Sequence, residues 1–393
     1  MEPKYRQSFN ECFSPDAYAS FLSQINHETG LTIPFRIAET PVFLQDALLR
    51  KLLDASSDIL KQLLSDEMRT LTSGAVPSDC HVPGELGKPT MMALDFAICE
   101  DSHGGWKPML IELQGFPSLF YYQYFLAKAF KSHYKDLTSL QHLFMDEHLF
   151  LDRMRKLILG NRTPEETILL EIDPLSQNTY VDFMLTQRHL GIDIVCISEF
   201  ENVDGKLYRL KEGERIPVKR IYNRVIFDEL KRRPEWIRKY NPTDCVDVEW
   251  VCHPDWYFHI SKNVLPYLRS AAVPETYFGN DPRVSDLNLS DFVLKPLYSF
   301  SGSGVELDVD ANMLQKIRFP EQHILQRKVD YASAILTPDS HSKVEIRLLY
   351  TWLDGESMPL PTITLARLSQ GKMVGVKYNR DKTWVGSSVC LWQ

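Results

Sequence analysis

The sequence predicts an α/β (α+β) fold in which parallel and antiparallel sheets occur in one chain. Strand-type and helix-type segments alternate between residues 167 and 224, which is typical of parallel open sheets. A hairpin pattern precedes this stretch at residues 91–114, and strand-type segments dominate after residue 291. Strand-type segments that follow one another directly are typical of antiparallel sheets. We therefore divide the chain into three regions, residues 1–160, 161–250 and 251–393.

The amino-acid composition argues against some classes of binding partner. The chain has 393 residues, 44% of them hydrophobic, so it can bury a large core in two or three domains. A net charge of −8 argues against a general nucleic-acid binder, because neutralising phosphates requires clustered Lys and Arg. Seven cysteines without metal-ligand spacing indicate reduced thiols and a cytoplasmic location. No apolar run reaches membrane-spanning length, so we expect no membrane partner, and a homodimer is one option for assembly.

The first region begins with helical patterns. Apolar residues recur at three- and four-residue steps over residues 47–64, which predicts an amphipathic helix with a structural role. A polar loop at residues 73–88 leads into two strands at 91–99 and 108–114, which predict a β-hairpin. Helical segments are then expected up to residue 159.

The second region has a strand–helix–strand rhythm. We predict strands at residues 168–172, 193–197 and 220–224, a helix at 180–190 and a short edge strand at 206–208. No glycine-rich dinucleotide fingerprint accompanies these elements. The predicted parallel sheet is therefore better interpreted as a platform for a substrate than as a cofactor site.

The third region is rich in strands. Residues 256–268 predict one helix, and the strands that follow are expected at 291–295, 325–329, 343–352 and 362–368. A turn at residues 353–356 separates the last two strands.

A lysine at the end of an apolar strand is followed by a Gly/Ser loop. Lys295 ends the strand, and the loop follows with Ser301, Gly302, Ser303 and Gly304. Glycine lets backbone N–H groups approach an anion closely, so this segment predicts a phosphate site. The spacing differs from that of a Walker loop and of a dinucleotide fingerprint. The same pattern is also compatible with an ordinary hairpin that carries a surface lysine.

Acidic residues in the predicted hairpin suggest a metal site. Glu112 and Gln114 are two positions apart on one strand and share a face, and Asp95 lies on the strand before it. Mg²⁺ prefers a few carboxylate or carbonyl oxygens together with phosphate and water. The same residues are also compatible with an exposed sheet edge on which Glu112 is simply solvated.

Two later strands carry further polar candidates. Glu345 and Arg347 share a strand face, where Arg347 could neutralise charge on a phosphate. This pair is equally compatible with a cross-strand ion pair on a wet face, which contributes little. Gln326 and Lys328 could read an adenine edge, although this signal is weak on its own.

The order of these parts resembles the ATP-grasp superfamily, specifically its circularly permuted branch with eukaryotic-type glutathione synthetase and the glutathionylspermidine synthase group. In that branch the metal-binding strand precedes the nucleotide-binding lysine, as residues 110–117 (LIELQGFP) precede residues 292–296 (FVLKP) here. The resemblance covers residues 91–392. It implies a permuted ATP-grasp fold with an inserted Rossmann-like open-sheet subdomain at residues 161–250. Residues 1–160 would then hold a helical part and the metal-binding hairpin, and residues 251–393 the nucleotide-binding subdomains.

The resemblance also implies roles for individual residues. Lys295 is similar to the second nucleotide-binding lysine, Lys262 to the first, and the Gly/Ser loop to the segment that closes over the phosphates. Gln326 and the residues after it resemble the adenine hinge. The implied metal ligands are Asp95, Glu112 and Gln114.

Two arginines are assigned by the same resemblance. Arg224, in the segment 220–224 (RIYNR), would face the acyl substrate, and Arg367 would lie near the phosphates or the substrate. The chain departs from the branch in carrying Gln114 in place of Asn and in lacking an acid soon after Pro296. Glu345 could replace that acid, or the site could hold one ion where relatives hold two.

The implied function is an ATP- and Mg²⁺-dependent ligase that joins a small-molecule carboxylate to an amine, or to a thiol, through an acylphosphate. No side-chain nucleophile is needed for this chemistry. Two further functions stay open. The first is that of a catalytically degenerate nucleotide-binding or scaffold protein, and the second is that of a phosphotransferase on the same fold.

Overall fold

The computed structural model describes residues 1–85, 87–233, 236, 238–299, 302–372, 374 and 379–393. These residues form α-helices, β-strands and short 3-10 segments. The α-helices are α1 (Pro3–Cys12), α2 (Pro15–Thr29), α3 (Asp46–Leu63), α4 (Asp66–Leu71), α5 (Phe120–His133), α6 (Glu147–Leu159), α7 (Tyr180–Leu190), α8 (Phe227–Arg232), α9 (Trp256–His259) and α10 (Ala311–Lys316). The strands are β1 (Val42–Phe43), β2 (Met91–Glu100), β3 (Trp106–Gln114), β4 (Thr167–Glu171), β5 (Asp193–Cys196), β6 (Phe200–Val203), β7 (Lys206–Lys211), β8 (Glu214–Pro217), β9 (Arg220–Asn223), β10 (Glu249–Val251), β11 (Thr276–Phe278), β12 (Phe292–Pro296), β13 (His323–Arg327), β14 (Ile335–Leu336), β15 (His341–Thr351), β16 (Leu360–Ser369), β17 (Gly386–Ser388) and β18 (Cys390–Leu391).

The largest sheet is antiparallel and combines the first and last regions of the chain. Its strand order is β17-β16-β15-β2-β3, with β14 paired to β15. One face is apolar, because alternate residues of β2 and β15 such as Phe96 and Ile346 point into one core with the buried side of α3. The predicted hairpin and amphipathic helix are confirmed. The opposite face carries the charged residues described below.

A second sheet is parallel and has the order β10-β9-β4-β5. Helix α7 connects β4 to β5, and all five residues of β4 are buried. This agrees with the predicted strand–helix–strand rhythm, and the helix has the predicted bounds. A core of aromatic and aliphatic residues from α2, α5, α6 and α7 packs beside it.

The prediction that residues 206–208 form an edge strand of the parallel sheet is wrong. Strand β7 belongs to a separate antiparallel sheet of order β6-β7-β8. The reason is local, because Asp204 and Gly205 both have positive φ angles, 51° and 76°, and connect β6 to β7 by a two-residue turn. Such turns place consecutive strands side by side in opposite directions.

A small antiparallel sheet of order β11-β13-β12 carries the predicted lysine strand. Strand β13 lies in its centre, where Ile324 faces Lys295 and Gln326 faces Val293. The strands predicted at 291–295 and 325–329 are confirmed with small shifts of their bounds. This sheet brings Lys295 to the charged face of the largest sheet.

The predicted continuous helix at residues 256–268 is wrong. Helix α9 ends at His259, and a 3-10 segment follows at Lys262–Tyr267. Ile260 and Ser261 are extended, because the Ile260 carbonyl accepts from the Gly115 N–H and Ser261 Oγ donates to the Leu297 carbonyl. Contacts distant in sequence therefore break the helix directly before Lys262.

Strands β1 and β18 form a two-stranded parallel sheet, in which Val42 of β1 lies opposite Cys390 of β18. The first and third predicted regions thus share sheets, while the boundaries themselves stay a prediction. Across the described ranges, none of the helices combines the length and the apolar character needed to cross a bilayer.

Candidate functional site

One face of the largest sheet carries a charged cluster, which we call the charged face. Directly paired residues of antiparallel strands point to the same side, and Arg347 lies opposite Asp95, which lies opposite Glu112. Glu345 lies opposite Arg367 in the same way. The charged face consists of Asp95, Glu112, Gln114, Glu345, Arg347 and Arg367.

Asp95 lies at the centre of an arginine–carboxylate network. Its side chain is fully buried, and Arg347 donates to it twice, from Nε to Oδ1 and from Nη2 to Oδ2, both at 2.6 Å. Arg367 Nη2 lies 3.2 Å from Asp95 Oδ2 and also pairs with Glu345 Oε1, while Tyr331 donates to Glu345 Oε2 at 3.0 Å. Burial lowers the pKa of Arg367, but Glu345 and Asp95 outweigh it and raise this pKa above its ordinary value.

Two buried lysines, which we call the lysine pair, approach the charged face from β12 and the 3-10 segment. Lys262 Nζ lies 2.8 Å from Glu112 Oε1 and donates to the Ser299 carbonyl at 2.7 Å. Lys295 Nζ donates to Gln326 Oε1 at 2.6 Å and to the Ile111 carbonyl at 3.2 Å. Burial lowers the pKa of Lys295 to about 8, an effect that Lys262 reinforces and the carboxylate of Glu112 opposes.

Two local features of the hairpin allow this approach. A bulge falls between the pairs Asp95–Glu112 and Phe96–Leu110, which leaves Ile111 unmatched and turns its carbonyl to Lys295. Gly115 then lies so close to the Trp256 carbonyl that a Cβ atom there would overlap it. Glycine is therefore required where the hairpin contacts the segment that carries Lys262.

The structure brings most of the predicted site residues together. Lys262, Lys295, Gln326 and the whole charged face form one contiguous polar cluster. Arg224 directly follows β9 and contacts the segment after the hairpin, donating to the Pro117 carbonyl at 2.8 Å, with its guanidinium 4.5 Å from the Phe116 ring centroid. Lys328 is exposed and donates to the Ser290 carbonyl at 2.6 Å instead.

The Gly/Ser loop folds back beside β12. Gly302 and Gly304 have φ angles of 71° and 72°, Ser303 is exposed, and Glu306 pairs with Leu294 through both backbone hydrogen bonds. Ser301 lies outside the described residues. The loop thus has the character of a hairpin, but Lys295 beside it is buried and is no surface lysine.

Glu112 and Arg347 both have protein partners. Glu112 is not simply solvated at a sheet edge, since it pairs with Lys262. Arg347 does form a cross-strand ion pair with Asp95, yet that pair is buried and bidentate, and so it differs from a weak pair on a wet face.

The acidic residues fit a divalent cation only in part. In the part of the chain that the structure describes, no three His, Cys, Asp or Glu side chains are grouped for a metal. Asp95 and Glu345 have both carboxylate oxygens bonded to protein donors. Glu112 Oε2 and the Gln114 side chain have no partner among the described residues. A magnesium ion held by Glu112 and Gln114 would therefore need phosphate and water for its remaining ligands.

Sequence reasoning missed Tyr331 and Glu171. Tyr331 lies in a segment without periodicity, so no signal identified it. Glu171 ends the buried strand β4, and burial raises its pKa to about 8, opposed by Arg224. An acid within the apolar run 168–172 was the available signal, since a buried carboxylate is costly without a partner.

Comparisons with known proteins establish the fold class and no closer relationship. No family model and no curated protein matches this sequence. Among solved structures the chain is similar to a glutathione synthetase-like effector from Globodera pallida in its apo form, with a TM-score of 0.59 and 8% identity over 97% of both chains. The protein is thus a mixed α/β protein. More particularly, it has a glutathione synthetase-like fold, and at this identity the likeness extends to the fold alone.

Proposed function

We propose that the protein is an ATP- and Mg²⁺-dependent ligase that joins a carboxylate to an amine or thiol on a circularly permuted ATP-grasp architecture. The observation that carries this proposal is the buried lysine pair above Glu112, with 2.8 Å between Lys262 Nζ and Glu112 Oε1. Two ammonium groups in one buried place are costly unless anions compensate them. Glu112 pairs with Lys262, so Lys295 is left to a bound anion, and a triphosphate between the hairpin and β12 would supply that anion.

In this proposal each group of side chains has a separate role in binding or phosphoryl transfer. The lysine pair neutralises the triphosphate, while Arg347 and Arg367 stabilise charge on the phosphoryl group in transfer. Glu112 and Gln114 would hold the magnesium ion. The substrate carboxylate would attack the γ-phosphoryl group of ATP to give an acylphosphate and ADP, and the amine would then attack the acyl carbon and release phosphate. Gly302 and Gly304 give the loop the freedom to cover the phosphates and exclude water.

The topology of the parallel sheet supports an acyl-substrate site at the carboxyl ends of its strands. Strand β4 has β5 on one side and β9 on the other, so the connections diverge between β4 and β9. Ligands of open parallel sheets bind outside the carboxyl ends of the strands at such a point. Arg224 follows β9 there, and its Nε is buried without a partner in the described residues. A substrate carboxylate is the ligand that this guanidinium would take.

Two further functions would use the same residues. A phosphotransferase would need the same triphosphate contacts and a hydroxyl acceptor in place of the carboxylate. A degenerate nucleotide-binding protein is favoured by one observation, namely that Asp95 and Glu345 are saturated by protein donors. We prefer the ligase, because Glu112 and Gln114 still offer free oxygens.

The test is turnover with product identification. The protein is incubated with ATP, Mg²⁺ and pools of carboxylates and amines, and phosphate release and product masses are measured. We expect an amide together with ADP and phosphate, and we expect Lys295→Ala to abolish their formation. Lys206→Ala is the control and should retain activity, because Lys206 is exposed on β7 of the separate antiparallel sheet. A phosphoester with ADP supports the phosphotransferase, and nucleotide binding without turnover supports the degenerate protein.

A further inference from the structure

The geometry around Asp95 differs from that of a metal ligand. A carboxylate that binds Mg²⁺ directs an oxygen at the ion, while both Asp95 oxygens are taken by Arg347 and Oδ2 is shared with Arg367. The side chain is fully buried at the centre of the sheet, between β15 and β3. Both oxygens of Asp95 therefore already accept from arginine donors.

The same contacts leave arginine donors unused. Arg347 uses Nε and Nη2 on Asp95, and its Nη1 has no partner among the described residues. Arg367 Nη2 contacts both carboxylates, while its Nε is buried and likewise without a partner in the described ranges. The buried Nε of Arg367 is costly without an acceptor, and both donors are available to an anion.

The network also fixes where those donors point. Two parallel hydrogen bonds to Asp95 hold the guanidinium plane of Arg347, and Glu345, itself bonded by Tyr331, holds Arg367. Planar donors held in this way match the oxygens of a phosphoryl group. The carboxylates act on the ligand only through the arginines.

We propose that Asp95 is a positioning residue, which together with Glu345 holds Arg347 and Arg367 as a metal-independent clamp for a phosphoryl group. The inference rests on the proposed function, because it assigns the clamp to the phosphoryl group that this reaction transfers. Glu112 and Gln114 are then the protein ligands of the cation, so the site binds one magnesium ion. Asp95 and Glu345 are excluded as ligands.

Two binding measurements separate a positioning residue from a metal ligand. The first is the Mg²⁺ concentration that gives half-maximal binding of a non-hydrolysable ATP analogue. Glu112→Gln should raise that concentration at least about tenfold, because it weakens a direct ligand. Asp95→Asn should leave it within about twofold of the wild-type value. An equal shift in both variants would overturn the proposal.

The second measurement is the affinity for inorganic tripolyphosphate in EDTA. Asp95→Asn should weaken binding roughly tenfold, because one amide oxygen cannot hold both guanidinium donors. If only net charge mattered, Asp95→Asn would bind tripolyphosphate more tightly, since removing a carboxylate strengthens the binding of an anion. Tighter or unchanged binding in a folded Asp95→Asn variant would overturn the positioning role.

Arg347→Lys keeps the test decisive if Asp95→Asn does not fold. Lysine retains the charge beside Asp95 but lacks the planar fork, so tripolyphosphate binding should fall roughly tenfold with an unchanged Mg²⁺ requirement. Unchanged tripolyphosphate binding in this variant would overturn the clamp. If the wild-type protein binds tripolyphosphate through Arg347 yet turns over no ATP, the clamp stands and the proposed ligase fails.

Discussion

Arg347 and Asp95 lie opposite each other on neighbouring strands and are joined by two parallel hydrogen bonds of 2.6 Å, although 252 positions separate them in the sequence. This pair ties the hairpin of the first region to the strands of the last one. Because the pair is buried, each partner depends on the other to compensate its charge.

Removing one member of this pair should destabilise the fold strongly. Arg347→Met leaves the buried Asp95 carboxylate without its main partner, and we expect a loss of about 3–5 kcal/mol in the free energy of unfolding. Urea denaturation measures this loss. The matched control is the double variant Arg347→Met with Asp95→Leu, which should recover much of the stability. A single variant as stable as the wild type would contradict the buried pair.

Nucleotide affinity should depend on the protonation of Lys295. Burial lowers the pKa of this lysine to about 8, so its positive charge is present below that pH and is lost above it. Affinity for an ATP analogue should therefore fall as the pH rises from 7 to 9. Lys295→Arg keeps its charge over this range, and its affinity should stay nearly constant. Parallel pH profiles of the two proteins would rule out Lys295 as the titrating group.

Glu171 should make stability depend on pH in the opposite sense to an ordinary paired carboxylate. Burial raises its pKa from 4.5 to about 8, so the folded protein binds the proton more tightly than the unfolded chain. This contribution is complete below pH 4.5 and is lost as the pH rises to about 8. Glu171→Gln removes the titrating carboxyl group. The stability of the variant relative to the wild type should therefore increase as the pH rises from 4.5 to about 8. A pH-independent difference in urea midpoint would contradict the shift.

Gly115 should tolerate no side chain. A Cβ atom there would overlap the Trp256 carbonyl, which is backbone and cannot move aside alone. Gly115→Ala should cost about 1–3 kcal/mol and weaken nucleotide binding, because Lys262 lies on the segment that would shift. Gly74→Ala is the control, since no atom lies within 4 Å of a Cβ at that position. Equal stability of the two variants, measured by thermal unfolding, would contradict the close contact.

The sequence predicted those parts of the fold that depend on local patterns. The hairpin of β2 and β3, helix α7 and the lysine strand β12 each have a period and boundary signals within a few residues. The antiparallel sheet of β6, β7 and β8 could also have been predicted from the sequence, because the Asp204-Gly205 turn is a strong hairpin signal.

The remaining features depend on contacts between distant segments. The break before Lys262 follows from hydrogen bonds of Ile260 and Ser261 to residues far away in sequence, which periodicity cannot show. The partner of Asp95 depends on the register of β2 against β15. A carboxylate in a strand fits a metal or an arginine equally well until that register is known, so the sequence suggested Asp95 as a ligand.

The most direct test of the central claim is calorimetric titration of an ATP analogue with Mg²⁺ into the wild-type protein and into Lys295→Met. Methionine keeps the length of the side chain without its charge, and circular dichroism checks that the variant is folded. A triphosphate held between Glu112 and Lys295 predicts measurable binding to the wild type and at least a roughly tenfold weaker affinity in the variant. A folded variant with wild-type affinity would contradict the account.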